Sequence, residues 1–464
     1  MSTQINDLVF TDSAGQRCTL SAKALGVGGE GGVYDIIERP DKVAKIYSEK
    51  NRTEYREKKI KAMIESRRFD MKDCSWPDTI LYQNGRFCGY VMKKVTALQS
   101  MIDFYVYDNR GKYPWQLFVQ VARNLCAAVN NVHEIGHVIG DLNPNNVMVE
   151  PSNGMITLVD TDSYHIRSKN GEVFRCSVYV PEFVPAELQL VSPKEANFTE
   201  ATDNFSLAVL IFRLLMNGVH PFSCRRNTPG SLSRFQPDNN IRFGICPFFP
   251  EFQDRLSIPI LAPGLEVLPS YVHELFRRAF IDGHKEPSKR PNAEEWFNAL
   301  SRLLSELVAC ENVRVHAYYK GLHACPWCRL NSRIKEAQQA QKKSLVKGNE
   351  EWEQYKRTHS FPGKATYTSR PPERKQYVQS KPHSNVGSVS QTSTSSVSVS
   401  SPPPQQRNYY SRQVLQPVSQ TNQPLGAVTP SSGQNKPYNP LLSTLTKVGL
   451  AVLAALIIIG FIFA

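Results

Sequence analysis

Three residues in the middle of the chain carry side chains suited to phosphate and metal chemistry. They are Asp141 and Asn146 in "IGDLNPNNVMV" and Asp160 in "ITLVDTDSY". Asp, Asn and Pro favour turns because side chain or ring dictates the local backbone. The plain reading of residues 139–146 is therefore a polar turn leading into a strand, Val147–Val149. The chemical reading is that Asp141 and Asn146 face a reacting phosphate and its metal, a hard cation that takes oxygen ligands. "GVGGEGGV" bears on the choice. Gly26, Gly28 and Gly31, with Val33 behind them, let backbone amides approach a phosphate closely. Strand-like "VYDIIE" and "VAKIY" follow, not the helix that a dinucleotide-binding turn must open. That order suits a glycine-rich hairpin with Lys45, on the next strand, reaching the α and β phosphates of ATP. A lysine in that role needs a carboxylate on the following helix. Of Glu54, Glu57 and Glu65, Glu57 lies closest to the inward face marked by Ile60 and Ile64, at about 100° per residue. Glu57 is the expected partner.

The elements that must position these residues fall into two blocks. Residues 1–105 read as short β-rich runs interrupted by one helical stretch near 52–66, and 106–308 read as mainly helical. On these motifs, taken in order, the chain resembles a eukaryotic-type protein kinase over residues 20–305. The resemblance implies an α+β, bilobal fold with an N-lobe at 1–105 and a C-lobe at 106–308. It implies that Asp141 orients the substrate hydroxyl, that Asn146 and Asp160 bind the metal, and that ATP and Mg²⁺ are the cofactors. It also implies a scaffold role for Asp203, which braces the catalytic loop, and for Glu187 of "VPAELQL", paired with Arg290 of "PSKRPNAEEW".

The departures from that pattern carry information too. Ile139-Gly140 replaces the usual His-Arg before the catalytic Asp, which implies little dependence on activation-loop phosphorylation. Asn143 stands where a Lys is usual. Asp160-Thr161-Asp162 replaces Asp-Phe-Gly, leaving Asp162 to ligate a second metal or, the favoured reading, to cap a turn. "SWPDTILYQNGRFCGYVMKKV", "GDLNPNNVMV" and "VDTDS" are similar to atypical bacterial kinases associated with von Willebrand A and PP2C-type phosphatase proteins, some linked to stress loci. Both are partners that the resemblance suggests.

A Cys/His segment follows at 309–330. Cys310, His316, Cys325 and Cys328 give C-x5-H-x8-C-x2-C, a ligand set suited to a structural Zn²⁺, with His323 as an alternative ligand. A redox C-x2-C would sit in a βαβ context, which the sequence lacks. Beyond it, 331–446 reads as a charged helix and then a basic linker rich in Ser, Pro and Gln, which cannot bury enough apolar surface to fold alone. Residues 447–464 end in the uncharged run Val448–Ala464, read as a single transmembrane anchor with a buried C-terminal helix as the alternative. The basic linker would keep the kinase on the cytoplasmic side. The first residues, MSTQINDLVF, show no signal-peptide pattern.

The formal charge of +13 invites a nucleic-acid reading, but 331–464 holds 16 Lys and Arg against 5 Asp and Glu, leaving 1–330 nearly neutral. A nucleic-acid partner is not expected. Two functions stand: a tail-anchored Ser/Thr protein kinase acting on protein substrates in signalling or stress, and a nucleotide-binding pseudokinase scaffold.

Overall fold

The computed structural model describes residues 8–68, 71–95, 98–226 and 237–358. The linker beyond 358 and the apolar run Val448–Ala464 lie outside the described residues. Among the described residues, no helix is long and apolar enough to cross a membrane. Residues up to Trp352 form one compact unit; the second, Glu353–Phe463, is described only by the end of the last helix.

The N-terminal part is a closed antiparallel barrel. Its strands are β1 (Val9–Asp12), β2 (Arg17–Val27), β3 (Gly31–Ile36), β4 (Arg39–Tyr47), β5 (Pro77–Gln83) and β6 (Arg86–Lys93), in the order β1-β2-β3-β4-β6-β5. Inward residues such as Phe10, Leu20, Ala44, Leu81 and Val91 fill it. The glycine-rich stretch is the β2–β3 hairpin, with Val27 opposite Gly32 and the Gly28 amide bonded to the Gly31 carbonyl. Gly31 is required by packing. A Cβ there would lie 2.0 Å from the Ile46 carbonyl oxygen of β4. Helix α1 (Glu54–Ser66) starts at Thr53, whose hydroxyl accepts from the Arg56 amide, and carries Glu54 and Glu57 in its first turn, where acids suit the helix dipole.

The larger lobe is helical. After β7 (Gln99–Ser100), α2 (Met101–Tyr105) and α3 (Tyr107–Arg110), the amphipathic α4 (Trp115–Glu134) buries one face. Next come β8 (Val147–Val149) and β9 (Ile156–Leu158), paired beside β7, and a small hairpin of β10 (Ile166–Arg167) and β11 (Val173–Phe174). In α5 (Glu200–Leu215), 13 of 16 residues are buried, polar ones at its start and apolar ones along Leu207–Phe212. It is the axle of the lobe, with Phe212 among Phe248, Phe276 and Phe280. Around it lie α6 (Pro237–Phe243), α7 (Ser270–Arg277), α8 (Gly283–Lys285) and α9 (Ala293–Ser305). The expected Glu187–Arg290 pair forms as a fork of 2.6 and 2.8 Å, and Arg290 also donates to the Gly283 and Ala201 carbonyls.

The Cys/His segment is docked on this lobe. The Leu307–Ala309 strand pairs with Ala317–Tyr319, and α10 (Pro326–Thr358) follows. The Trp327 ring lies 5.0 Å from Trp115, and the Trp115 amide donates to the Val315 carbonyl. Leu330 and Ile334 of α10 are buried, while most of its later residues are exposed and charged or polar.

The Arg290 side chain is fully buried and Glu187 is 36% exposed. Glu187→Ala therefore leaves a sealed guanidinium without its counter-charge. Denaturant titration should show a loss of about 2–4 kcal/mol, somewhat less than a fully buried pair would give.

Candidate active site

Alternation along β4 sends Lys45 and Tyr47 to one face, and the register places Lys45 opposite Tyr90 of β6. Lys45 is buried, and its Nζ bridges two carboxylates, Asp160 Oδ1 at 2.7 Å and Asp162 Oδ1 at 2.5 Å. Burial disfavours its charge, but Asp162 and Asp160 outweigh that and hold the amine protonated, with its pKa raised. The two acids differ. Asp160 is 47% exposed, whereas Asp162 is 1% exposed. Burial works against ionisation of Asp162, yet Lys45, Tyr47 and Tyr90 hold its carboxyl below the ordinary range. Burial, assisted by Asp162 against the pull of Lys45, raises that of Asp160. Asp160 adopts φ 57°, in the left-handed region that non-glycine residues rarely enter and that recurs at functional sites.

The strand β8 follows the loop 139–146 directly, which fixes that loop beside Asp160. The Val159 amide donates to the Asn146 carbonyl at 2.9 Å. The Asn146 side-chain amide donates to Asp141 Oδ2 at 3.2 Å and to the Asp141 carbonyl at 3.0 Å. Asn143, buried, donates to Asp141 Oδ1 at 2.9 Å. Burial raises the Asp141 pKa; Asn143 opposes, and the charge of Asp160 adds to the rise, so the two acids share one field. Lys45, Asp160, Asn146 and Asp141 thus come together, and the Gly26 and Gly28 positions are open, with nothing within 4 Å of an added Cβ.

The entrance to the loop is held from below. Buried Asp203 accepts from the Ile139 amide at 2.6 Å, the Gly140 amide at 2.8 Å and His133 Nε2 at 3.0 Å. Gly140 has φ +77°, and a Cβ there would meet Cys176 at 2.8 Å. A side chain at 140 has no room. Cys176 belongs to an apolar cluster with Val184, Leu188, Ala196 and Phe198 that holds the segment after Asp162.

Two expectations are corrected. Glu57 is not the partner of Lys45. Its Oε1 accepts from Tyr82 Oη at 2.9 Å, over β5, and burial together with Glu57 pushes the Tyr82 hydroxyl up to about 12. The cause is helix phase. The buried face of α1 carries Lys59, Ile60, Ala62 and Met63, and Arg56, a turn earlier, points to Glu30 and Asp162. The favoured turn-cap reading of Asp162 also falls, because both carboxylate oxygens are spent on the Lys45 amine and two tyrosine hydroxyls. Sequence reasoning missed Tyr47, Tyr90 and Arg56 and gave Asp162 another use. The available signal was two tyrosines in register with Lys45 on interior strands.

In the Cys/His segment, one ligand atom each from Cys310, His316, Cys325 and Cys328 lies within 4.8 Å of the others; His323 is not in the cluster. Zinc ligand distances set tetrahedral edges of about 3.8 Å between sulfurs and about 3.5 Å between sulfur and nitrogen. Cys310 and Cys328 sulfurs are 3.7 Å apart, and His316 Nδ1 is 3.6 Å from Cys325 and 3.5 Å from Cys328. The donor set fits a tetrahedral ion.

Comparison with known proteins gives a consistent picture. A family model described as the protein kinase domain matches residues 20–298. Protein kinase YegI of Escherichia coli (strain K12) is 35% identical over 344 residues, covering 72% of this chain and 51% of that protein. Protein kinase YegI of Escherichia coli O157:H7 is 33% identical over 335 residues, covering 68% and 49%. The ovarian-specific serine/threonine-protein kinase Lok of Drosophila melanogaster is 31% identical over 109 residues, 23% of this chain and 22% of that one. The chain spans about half the length of the YegI proteins it matches.

Lys59, 6% exposed on α1, gives a pH-dependent consequence. Burial, only partly offset by Asp162, pushes its pKa from 10.5 down to about 8. Below about pH 8 the folded protein carries a buried ammonium; above it, folding is relieved of that charge while the unfolded chain stays protonated. Stability from this group therefore rises between about pH 8 and 10.5 and is lost as pH falls through 8. Lys59→Met should be more stable near neutrality, by up to about 3 kcal/mol. Denaturant midpoints of the two proteins should converge towards pH 10.

Proposed function

The chain belongs to the protein kinase domain family, and from that premise we propose that it transfers the γ-phosphoryl group of ATP to protein Ser or Thr hydroxyls. The carrying observation is the convergence of Lys45, Asp160, Asn146 and Asp141 in one cleft beneath an open glycine-rich hairpin. In this reading the hairpin amides and Lys45 hold the phosphates. Asp160 and the Asn146 side-chain oxygen would hold Mg²⁺, which would supply positive charge to offset that of the phosphates. The Asn146 nitrogen is committed to Asp141, which turns the oxygen to other partners. Asp141 orients the substrate hydroxyl and accepts its proton, and a pKa raised by burial brings it closer to that task. The preference for Ser and Thr is supported by the partial likeness to a serine/threonine kinase.

Gly140 packed on Cys176 supports independence from activation-segment phosphorylation. Where the usual Arg would stand, Gly140 meets Cys176 of the apolar cluster, and Tyr164 is fully buried and unsuited to phosphorylation. We further read the Cys/His cluster as a structural zinc site and Val448–Ala464 as a membrane anchor that holds the kinase at the cytoplasmic face. Von Willebrand A and PP2C-type proteins are candidate partners by resemblance, in a signalling or stress role.

One observation favours the alternative, a nucleotide-binding scaffold. Asn143 supplies no positive charge near the γ-phosphate and occupies Asp141 Oδ1. Radiolabelled ATP with the full chain separates the two. Asp141→Ala should lower transfer at least about 100-fold with Mg-ATP binding retained. Transfer that is absent, or independent of Asp141, selects the scaffold.

The zinc reading has its own outcome. Elemental analysis should find one zinc per chain, and Cys325→Ser with Cys328→Ser should abolish it and lower the melting temperature by several degrees. Protein purified without bound metal and indifferent to chelators would refute it.

A further inference from the structure

We propose that Asp162 is the positioning carboxylate for Lys45, in the place that helix α1 would otherwise supply with an acid. Asp162 Oδ1 accepts from Lys45 Nζ at 2.5 Å and Tyr90 Oη at 2.9 Å, and Oδ2 accepts from Tyr47 Oη at 2.6 Å. Arg56 of α1 completes the shell at 4.0 Å. A sealed carboxylate is tolerated only when both oxygens are satisfied and a counter-charge is at hand. Both conditions are met here by residues of β4, β6 and α1.

The tyrosines argue the point from the other side. Tyr47 and Tyr90 are 1% and 0% exposed, and each spends its hydroxyl on this one carboxylate. Tyr90 lies opposite Lys45 in the ladder and Tyr47 two residues after it, so the strand pleat presents all three polar ends to one point. Such a pocket is built around an anion.

Burial also separates the two acids that share Lys45. Asp160, half exposed, faces the cleft and is available to a ligand. Asp162 is sealed by protein on every oxygen, which removes the second-metal reading. When Asp160 engages a metal, Lys45 keeps its other anchor. Helix α1 is correspondingly released from holding the lysine, and its Arg56 instead clamps Glu30 at the tip of the glycine-rich hairpin, at 2.5 and 2.9 Å.

The proposal rests on the reading of Lys45 as a phosphate ligand, and the test distinguishes the two. Calorimetry on the full chain compares Mg-ATP with adenosine, which lacks phosphates. Asp162→Asn should weaken Mg-ATP at least tenfold and adenosine less than twofold, while Glu57→Gln changes neither by more than twofold. Equal losses for ATP and adenosine would mark a merely structural role, and undiminished ATP binding, or the same selective loss in Glu57→Gln, would assign the anchor elsewhere; each overturns the proposal. Should Asp162→Asn fail to fold, Tyr47→Phe with Tyr90→Phe should give a smaller but still ATP-selective loss of three- to tenfold, and no such loss overturns it. Wild-type protein that binds adenosine and Mg-ATP equally would defeat the phosphate reading of Lys45, and this assignment with it.

Discussion

A buried ammonium between two carboxylates organises the cleft. Removing a lysine from water costs several kcal/mol even after relaxation, so Lys45 is stable where it lies only because Asp160 and Asp162 stand against it at 2.7 and 2.5 Å. That requirement reaches outward. The carboxylate of Asp162 needs donors, which Tyr47 and Tyr90 supply from the face of β4 and β6 opposite the one that fills the barrel. Arg56 of α1 stands 4.0 Å from it, and the same helix buries Lys59 and leaves Glu57 over β5.

The catalytic loop shows a second economy of the same kind. An arginine before Asp141 would demand an anionic partner to hold the following segment. Gly140 removes both, since its left-handed backbone brings the loop against Cys176 with no space for a side chain. The two amides exposed by that turn are collected by Asp203 at the start of the central helix α5. Order in the segment then comes from apolar burial of Cys176, Val184, Leu188 and Phe198, which is insensitive to charge. Ile139-Gly140 is thus a coherent alternative packing.

Much of this was legible in the sequence, and the limits are physical. The glycine spacing and the strand pattern after it foretold the β2–β3 hairpin and the place of Lys45, because backbone demands are local. The polar turn before Val147–Val149 and the helical recurrence of apolar residues in α5 were equally readable from composition and period. The partner of Lys45 was not. Assigning Glu57 took aliphatic residues as the sole marks of an inward face, whereas α1 also buries Lys59 and turns Arg56 to Glu30 on the glycine-rich hairpin. Long-range electrostatics leave no trace in helical periodicity. Asp162 was misread for the reciprocal reason: an Asp in a turn caps it by default, and only the tyrosines brought alongside by strand register give it another use.

The Cys/His segment extends the argument from chemistry to mechanics. Its thiols and imidazole converge without help from the kinase fold, yet its tryptophan does not stay within it. Trp327 packs on Trp115, the first residue of α4, while donating its indole N–H to the Ala317 carbonyl of the segment itself. Trp115 in turn donates to the Leu215 carbonyl at the end of α5. At its other end α4 carries His133, bonded to the same Asp203 that gathers the catalytic-loop amides. Helix α4 thus runs from the Cys/His segment, which packs on Trp115, to His133 beside the carboxylate that gathers the loop amides.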